Sequence, residues 1–169
     1  VGTLSPGKRP LYAVQLVAAL RERDIDIQLS LFGHGTERQM LEDYIRQNKL
    51  GDSIFLKGNQ PQEVVREAFK KSHFVVLPSQ SEGWPKVIAE GMFWGCVPIA
   101  SRVSCLANML DNGQRGLLLD MDFESDVNQL LALINAPETY RGNAQNSIAW
   151  SRKYTMDWFE DEIKMLLRP

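Results

Sequence analysis

Two glutamates, Glu82 and Glu90, flank a stretch, Gly83-Trp84-Pro85-Lys86-Val87, that reads as the start of a helix. A helix start carries unpaired backbone N–H groups and the positive end of the helix dipole, so it suits an anion. The N–H groups near Lys86 and Val87 are expected to point out of this one. A carboxylate accepts hydrogen bonds and a hydroxyl donates them, so a carboxylate on each side suits hydroxyl-rich groups. The order along the chain matches a sugar, a diphosphate and a ribose in series. Taken singly, Glu82 reads as a loop charge and Glu90 as a surface helix charge. Their placement around one helix start favours a binding site.

Two further loops carry residues of the same kind. Gly2-Thr3-Leu4-Ser5-Pro6-Gly7-Lys8-Arg9 is a glycine-containing loop that opens a helix and ends in two adjacent cations. Lys8 or Arg9 could add charge to a bound diphosphate; the plain reading is a solvated turn. Gly33-His34-Gly35-Thr36-Glu37-Arg38 begins like a dinucleotide fingerprint, but Arg38 replaces the third glycine. It also lacks the first-strand context that the fingerprint requires. A tight strand-to-helix turn is the better reading, with glycine still permitting close approach of a ligand to the backbone.

The elements that must position these loops follow from hydrophobic periodicity. Val1–Leu4 reads as the tail of a strand, followed by a helix over Arg9–Arg23. Asp26–Phe32 reads as a strand, and Thr36 opens a helix whose inner face is Met40, Leu41, Tyr44 and Ile45, stopped by Gly51. Ser53–Leu56 is a short strand, and Pro61 sits in the first turn of a helix that turns Val64, Val65, Ala68 and Phe69 inward. His73–Leu77, Val97–Ala100 and Gly116–Leu119 are apolar runs of the kind buried on both faces of a sheet. Between the first two of these lies a helix from about Pro85 to Trp94. From Asp122 onward the chain reads as helical, broken near Pro137 and Tyr154-Thr155, with Thr155 as a cap. Alternating strands and helices predict an α/β fold, a Rossmann-like three-layer α/β/α domain with a mostly parallel sheet and a helical C-terminal tail. In such a sheet, ligands bind outside the carboxyl ends of the strands, where all three loops fall.

Composition narrows the function classes. The 169 residues fit one domain, 1–169, large enough for a core without staples. A net charge of −2 supplies no basic field for a nucleic-acid backbone, so no nucleic-acid partner is expected. Cys96 and Cys105 lack metal-site or CxxC spacing and read as free thiols of a cytoplasmic protein. No apolar run has the length of a transmembrane segment. The opening on what reads as a strand end, without Met, gives the expectation of a fragment of a longer protein.

Pro78-Ser79-x-x-Glu82-Gly83-Trp84 followed by Glu90 resembles the "PS-x-x-EG-aromatic … E" signature of retaining glycosyltransferases with the GT-B fold. Gly91-Met92-Phe93-Trp94-Gly95-Cys96-Val97-Pro98-Ile99-Ala100-Ser101 is similar to that family's continuation, and Gly113-x-x-Gly116-Leu117-Leu118-Leu119 to its "G-x-x-GLLV" strand. The resemblance covers nearly the whole chain and is most specific over residues 73–120.

It implies the C-terminal donor-binding domain of a two-domain enzyme of polysaccharide biosynthesis, partnered by its own N-terminal Rossmann domain, which takes the acceptor. Carried over residue by residue, it implies that Lys8 neutralises the leaving diphosphate and Glu82 binds hydroxyls of the donor sugar, as the two catalytic positions. Glu90 would hold the ribose. Ser81, Gly83, Trp84, Lys86 and Val87 would touch sugar and diphosphate, Gly2, Thr3, Arg9 and Gly33 would line the donor site, and Lys57-Gly58 would meet the base through backbone. The resemblance further implies a nucleoside-diphosphate sugar as donor, with no metal and no other cofactor; the expected setting is cytoplasmic, with the inner membrane face reachable through the other half. The chain departs from the family at Thr3, where Arg is usual, at Pro85 for Gly, at Asn108 near a usual Glu and at Gly91 for Ala. The rival expectation is a non-catalytic nucleotide-sugar-binding domain of the same fold.

Overall fold

A computed structural model describes residues 1–167. A 3₁₀ turn, Pro6–Lys8, leads into α1, Pro10–Arg21. There follow β1, Leu29–Phe32; α2, Arg38–Gln47; β2, Ile54–Gly58; α3, Gln62–Lys71; and β3, Phe74–Leu77. The second half runs α4, Lys86–Phe93; β4, Val97–Ser101; α5, Leu106–Met109; β5, Leu117–Leu119; α6, Phe123–Ile134; α7, Pro137–Ser151; and α8, Met156–Leu166.

Every strand pairing is parallel. The predicted Rossmann-like α/β architecture is present, with its strands in two ladders, β1–β2 and β3–β4–β5. β4 is buried along its whole length, as its unbroken apolar run requires. Helices cover the sheets through three apolar clusters. Met92 and Ile88 of α4 pack with Val75, Leu77 and Ala100. Val14 and Val17 of α1 pack with Leu31, Leu41 and Ile54. Leu16 and Leu20, on the other side of α1, pack with Ile99, Leu119 and Val127. α1 is therefore apolar nearly all round and ties the two ladders together.

Several local readings are corrected. The first helix begins at Pro10, not Arg9, because Arg9 has φ 48, a left-handed conformation that cannot continue a helix. α2 ends at Gln47, and the left-handed residue that closes it is Lys49 (φ 55), not Gly51. Val64 is exposed rather than inward, since it falls on the outer side of α3 while Phe69 is buried. Pro85 stands just before α4, as its N-cap. Val1–Leu4 forms no ladder over its whole length, although Gly2 and Leu4 donate their N–H groups to Phe32 and His34 carbonyls at 2.8 and 2.9 Å. The Thr155 cap is present, its Oγ1 accepting from the Trp158 N–H at 3.3 Å. α8 adds nothing to the clusters and leaves Met156, Phe159 and Leu166 exposed.

Gly91, one of the departures from the family pattern, has a steric explanation. A Cβ on it would lie 2.6 Å from Val75 Cγ1 and 2.9 Å from Val75 Cβ, so the missing methyl lets α4 sit on a β-branched residue of β3. Gly91→Ala is expected to destabilise the domain by about 1–3 kcal/mol through overpacking. Thermal unfolding checks this, and Val75→Ala in the same chain should restore most of the loss.

Candidate functional site

The first loop and the loops after β1, β2 and β3 are joined by backbone contacts at one edge of the sheets. The Gly2 N–H reaches Phe32 O, the Gly33 N–H reaches Gly58 O at 2.8 Å, and the Gln80 N–H reaches Gly7 O at 2.8 Å. The glycines make this stitching possible. A Cβ on Gly33 would lie 1.9 Å from Gly2 O, and one on Gly35 2.1 Å from Leu4 O. Their smallness thus serves the approach of the first loop, which bears out the reading of Gly33-His34-Gly35 as a tight turn.

The loop after β3 is pinned from several sides. Ser101 Oγ donates to Ser79 O at 2.6 Å, and Ser104 Oγ donates to Gly83 O at 2.8 Å. At its centre, Lys8 Nζ donates to Glu82 Oε1 at 2.6 Å, across 74 residues of sequence. The Glu82 side chain is 7% exposed and that of Lys8 37%. A nearly buried carboxylate and a half-open ammonium thus meet at the mouth of the loop.

The helix start is partly used. The Lys86 N–H, expected to point outward, is taken by Trp84 O at 2.9 Å, because the chain turns tightly before Pro85. The Ile88 N–H is taken by Pro85 O at 2.9 Å. The Val87 N–H has no backbone partner among the described residues and remains open to an anion. Ser81, Gly83, Trp84 and Lys86 are exposed along the same loop.

Glu90 is exposed on α4. Thr3 is exposed. Arg9 makes no ion pair among the described residues, and its charge acts on the Tyr12 hydroxyl, so it does not join Lys8 at Glu82. Lys57 stacks over Phe55 at 4.7 Å, and its carbonyl accepts from Gln60 Nε2 at 2.7 Å. Gly58 (φ 65) turns beside His34: a Cβ there would lie 3.1 Å from His34 Nε2.

Sequence reasoning missed three contributors. Ser104 (φ 52) holds the Gly83 carbonyl from a left-handed turn, for which no sequence signal exists in a serine. Ser101 lies in a recognisable strand end, but the direction of its hydroxyl is a tertiary fact. Arg38 counted only as a mismatch to a glycine pattern. It puts a buried Nη1 with no protein partner beside the Lys57-Gly58 turn, where a Cβ on Gly58 would be 3.9 Å from it.

No group of three or more His, Cys, Asp or Glu among the described residues is placed to hold a metal ion. No helix among them is long and apolar enough to cross a membrane.

Comparison with known proteins bears on the family and the fold. The family model described as glycosyl transferases group 1 matches residues 1–149. An uncharacterized glycosyltransferase of Methanocaldococcus jannaschii is 32% identical over 136 residues, 80% of this chain and 38% of that protein. A D-inositol 3-phosphate glycosyltransferase of Pseudarthrobacter chlorophenolicus is 29% identical over 163 residues, 89% of this chain and 39% of its own. The chain thus spans less than half the length of these curated relatives. Among solved structures, the C-terminal domain of a group 1 glycosyl transferase from Francisella tularensis superposes with a TM-score of 0.81 at 20% identity, covering 92% of this chain and 84% of that one. The Anabaena protein HepE, solved with UDP, superposes with a TM-score of 0.84 at 18% identity, covering 98% and 46%. With the family match running through both the Lys8 loop and the Glu82–Glu90 segment, this chain belongs to the glycosyl transferases group 1.

Proposed function

We propose that this domain holds the nucleoside-diphosphate sugar for a glycosyl transfer that retains configuration at the anomeric carbon, with the acceptor bound by another part of the protein. The observation that carries the reading is the meeting of Lys8 and Glu82 at 2.6 Å, at the sheet edge where the first loop and the loop after β3 join. The chemistry must stabilise a departing diphosphate and an oxocarbenium-like sugar. Preorganised positive groups aimed at the leaving group contribute most in such a step. Lys8 and the open Val87 N–H at the α4 start are those groups. Glu82 then orients the sugar through its hydroxyls, as a positioning group beside the reacting carbon. Glu90 takes the ribose hydroxyls, and the Lys57-Gly58 turn with Arg38 Nη1 meets the base. These side chains do the work without a metal. The free thiols of Cys96 and Cys105 accord with a cytoplasmic setting.

Titration of UDP, GDP and their sugars into the parent domain and the Glu90→Ala variant tests the assignment. Loss of a charged hydrogen-bond partner should raise Kd by about tenfold. Equal affinities would remove Glu90 from the ribose site. Absence of donor turnover by the intact protein, with donor binding retained, would favour a non-catalytic binding domain.

A further inference from the structure

The backbone that enters α4 offers few free donors, and one of them is aimed from outside the loop. Pro85 has no N–H, and the Lys86 and Ile88 N–H groups are taken by Trp84 O and Pro85 O, both at 2.9 Å. From Trp84 to Ile88, only the Trp84 and Val87 N–H groups lack a partner among the described residues. The Trp84 carbonyl is fixed, because Pro85 (φ −80, ψ 77) closes an inverse γ-turn on it. The peptide before it, Gly83–Trp84, needs a separate hold. A Cβ on Gly83 would meet nothing within 4 Å, so this glycine sits in open space and leaves that peptide free to rotate.

The hold comes from Ser104, whose Oγ donates to Gly83 O at 2.8 Å. No peptide among the described residues is cis, and in a trans peptide the C=O and N–H point in opposite directions. A carbonyl turned to Ser104 therefore turns the Trp84 N–H away from the loop after β4, on a residue that is 54% exposed. Ser104 itself stands at φ 52, a left-handed conformation that residues other than glycine disfavour. Glycine would make the same turn without strain, so the turn alone does not call for a serine. Strain kept at a residue whose hydroxyl reaches a binding loop points to a role in that loop.

We propose that Ser104 is a positioning residue: by holding the Gly83 carbonyl, it aims the Trp84 N–H at an acceptor oxygen of the nucleoside-diphosphate sugar, in the same turn as the open Val87 N–H. Ser104 touches no reacting atom and acts through the Gly83–Trp84 peptide. The assignment rests on the reading of this loop as the donor site.

Ser104→Gly in the intact protein separates this role from a structural one. Glycine keeps the left-handed turn and removes only the hydroxyl, so Tm should hold or rise. UDP-glucose and GDP-mannose are the probes. Whichever of them the parent binds should bind the variant about five- to tenfold more weakly, and its slow turnover with water as acceptor should fall by at least as much. Ser104→Asn tolerates the left-handed turn and carries side-chain N–H donors, so it should recover a good part of both. Amide exchange reads the peptide directly: the bound sugar nucleotide should slow exchange at Trp84 in the parent and much less in Ser104→Gly. Undiminished affinity and turnover in Ser104→Gly, or equal protection of Trp84 in the two proteins, overturns the proposal and leaves the donor site standing. Weaker binding with a lower Tm also overturns it, since the hydroxyl would then be holding the fold. A parent that neither binds nor turns over either probe overturns the donor-site reading, and this assignment with it.

Discussion

Lys8→Ala in the full-length protein is expected to lower kcat by about 10²–10³-fold, the cost of removing one preorganised charge from a developing anion. The ion pair with Glu82 complicates a simple reading of that loss. Lys8 Nζ lies 2.6 Å from a carboxylate that is only 7% exposed, so the alanine also leaves Glu82 without its counter-charge. Two roles then predict different things. If Lys8 serves the leaving diphosphate, the double variant Lys8→Ala/Glu82→Gln stays as slow as the single lysine variant. If Lys8 serves only to neutralise Glu82, removing both charges together restores much of the rate. The split between constants adds a second readout. A group that favours the transition state lowers kcat and kcat/KM together, whereas a plain binding contact raises KM alone. Stability should fall as well, because the alanine leaves a carboxylate that is only 7% exposed without its counter-charge, and the double variant should recover much of that loss.

The pair also shows what was legible in the sequence. Lys8 and Glu82 were each nameable from their loops, since a cation before a helix and a glutamate before a proline-led helix start are local signals. Their meeting across 74 residues was not local. It depends on the first loop lying against β1, which in turn depends on Gly33 and Gly35 having no side chain. The strands were legible wherever they were apolar on both faces, as at Val97–Ser101. Helix ends were less so, because left-handed Arg9 and Lys49 do work that sequence patterns assign to glycine. The division of the strands into two ladders was not legible, since which strand pairs with which is a tertiary fact.

Asp126 lies in the first turn of α6 and is 0% exposed. Its Oδ1 accepts from the Asp120 N–H at 2.8 Å, and its Oδ2 accepts from the Met121 N–H at 3.1 Å and from Tyr12 Oη. One carboxylate thereby satisfies the turn between β5 and α6, where Met121 has φ 62, and fastens that turn to α1. The hydroxyl of Tyr12 is correspondingly harder to ionise, first through burial and then through its bond to Asp126. Asp126→Ala should cost about 3 kcal/mol, because it leaves two backbone donors and a phenol unpaired inside the protein. In a domain of this size that is a fall in Tm of about 6–12 °C. Tyr12→Phe should cost less, about 1 kcal/mol, since the carboxylate keeps its backbone partners. The raised pKa of Tyr12 fixes the sign of a pH effect: its contribution is fully present below about pH 10, where the phenol is neutral in both states, and declines at higher pH as the unfolded state ionises first. Thermal unfolding of the three proteins between pH 7 and 10.5 checks each part, and a loss under about 1 kcal/mol for Asp126→Ala would show that water replaces the carboxylate without strain. The consequence reaches the site through α1. The loop carrying Lys8 runs directly into Pro10, so an α1 loosened from α6 presents Lys8 from an unsteady base. Below its melting range, Asp126→Ala should therefore weaken nucleotide binding through Lys8 placement, and that weakening should vanish when it is measured in a Lys8→Ala background.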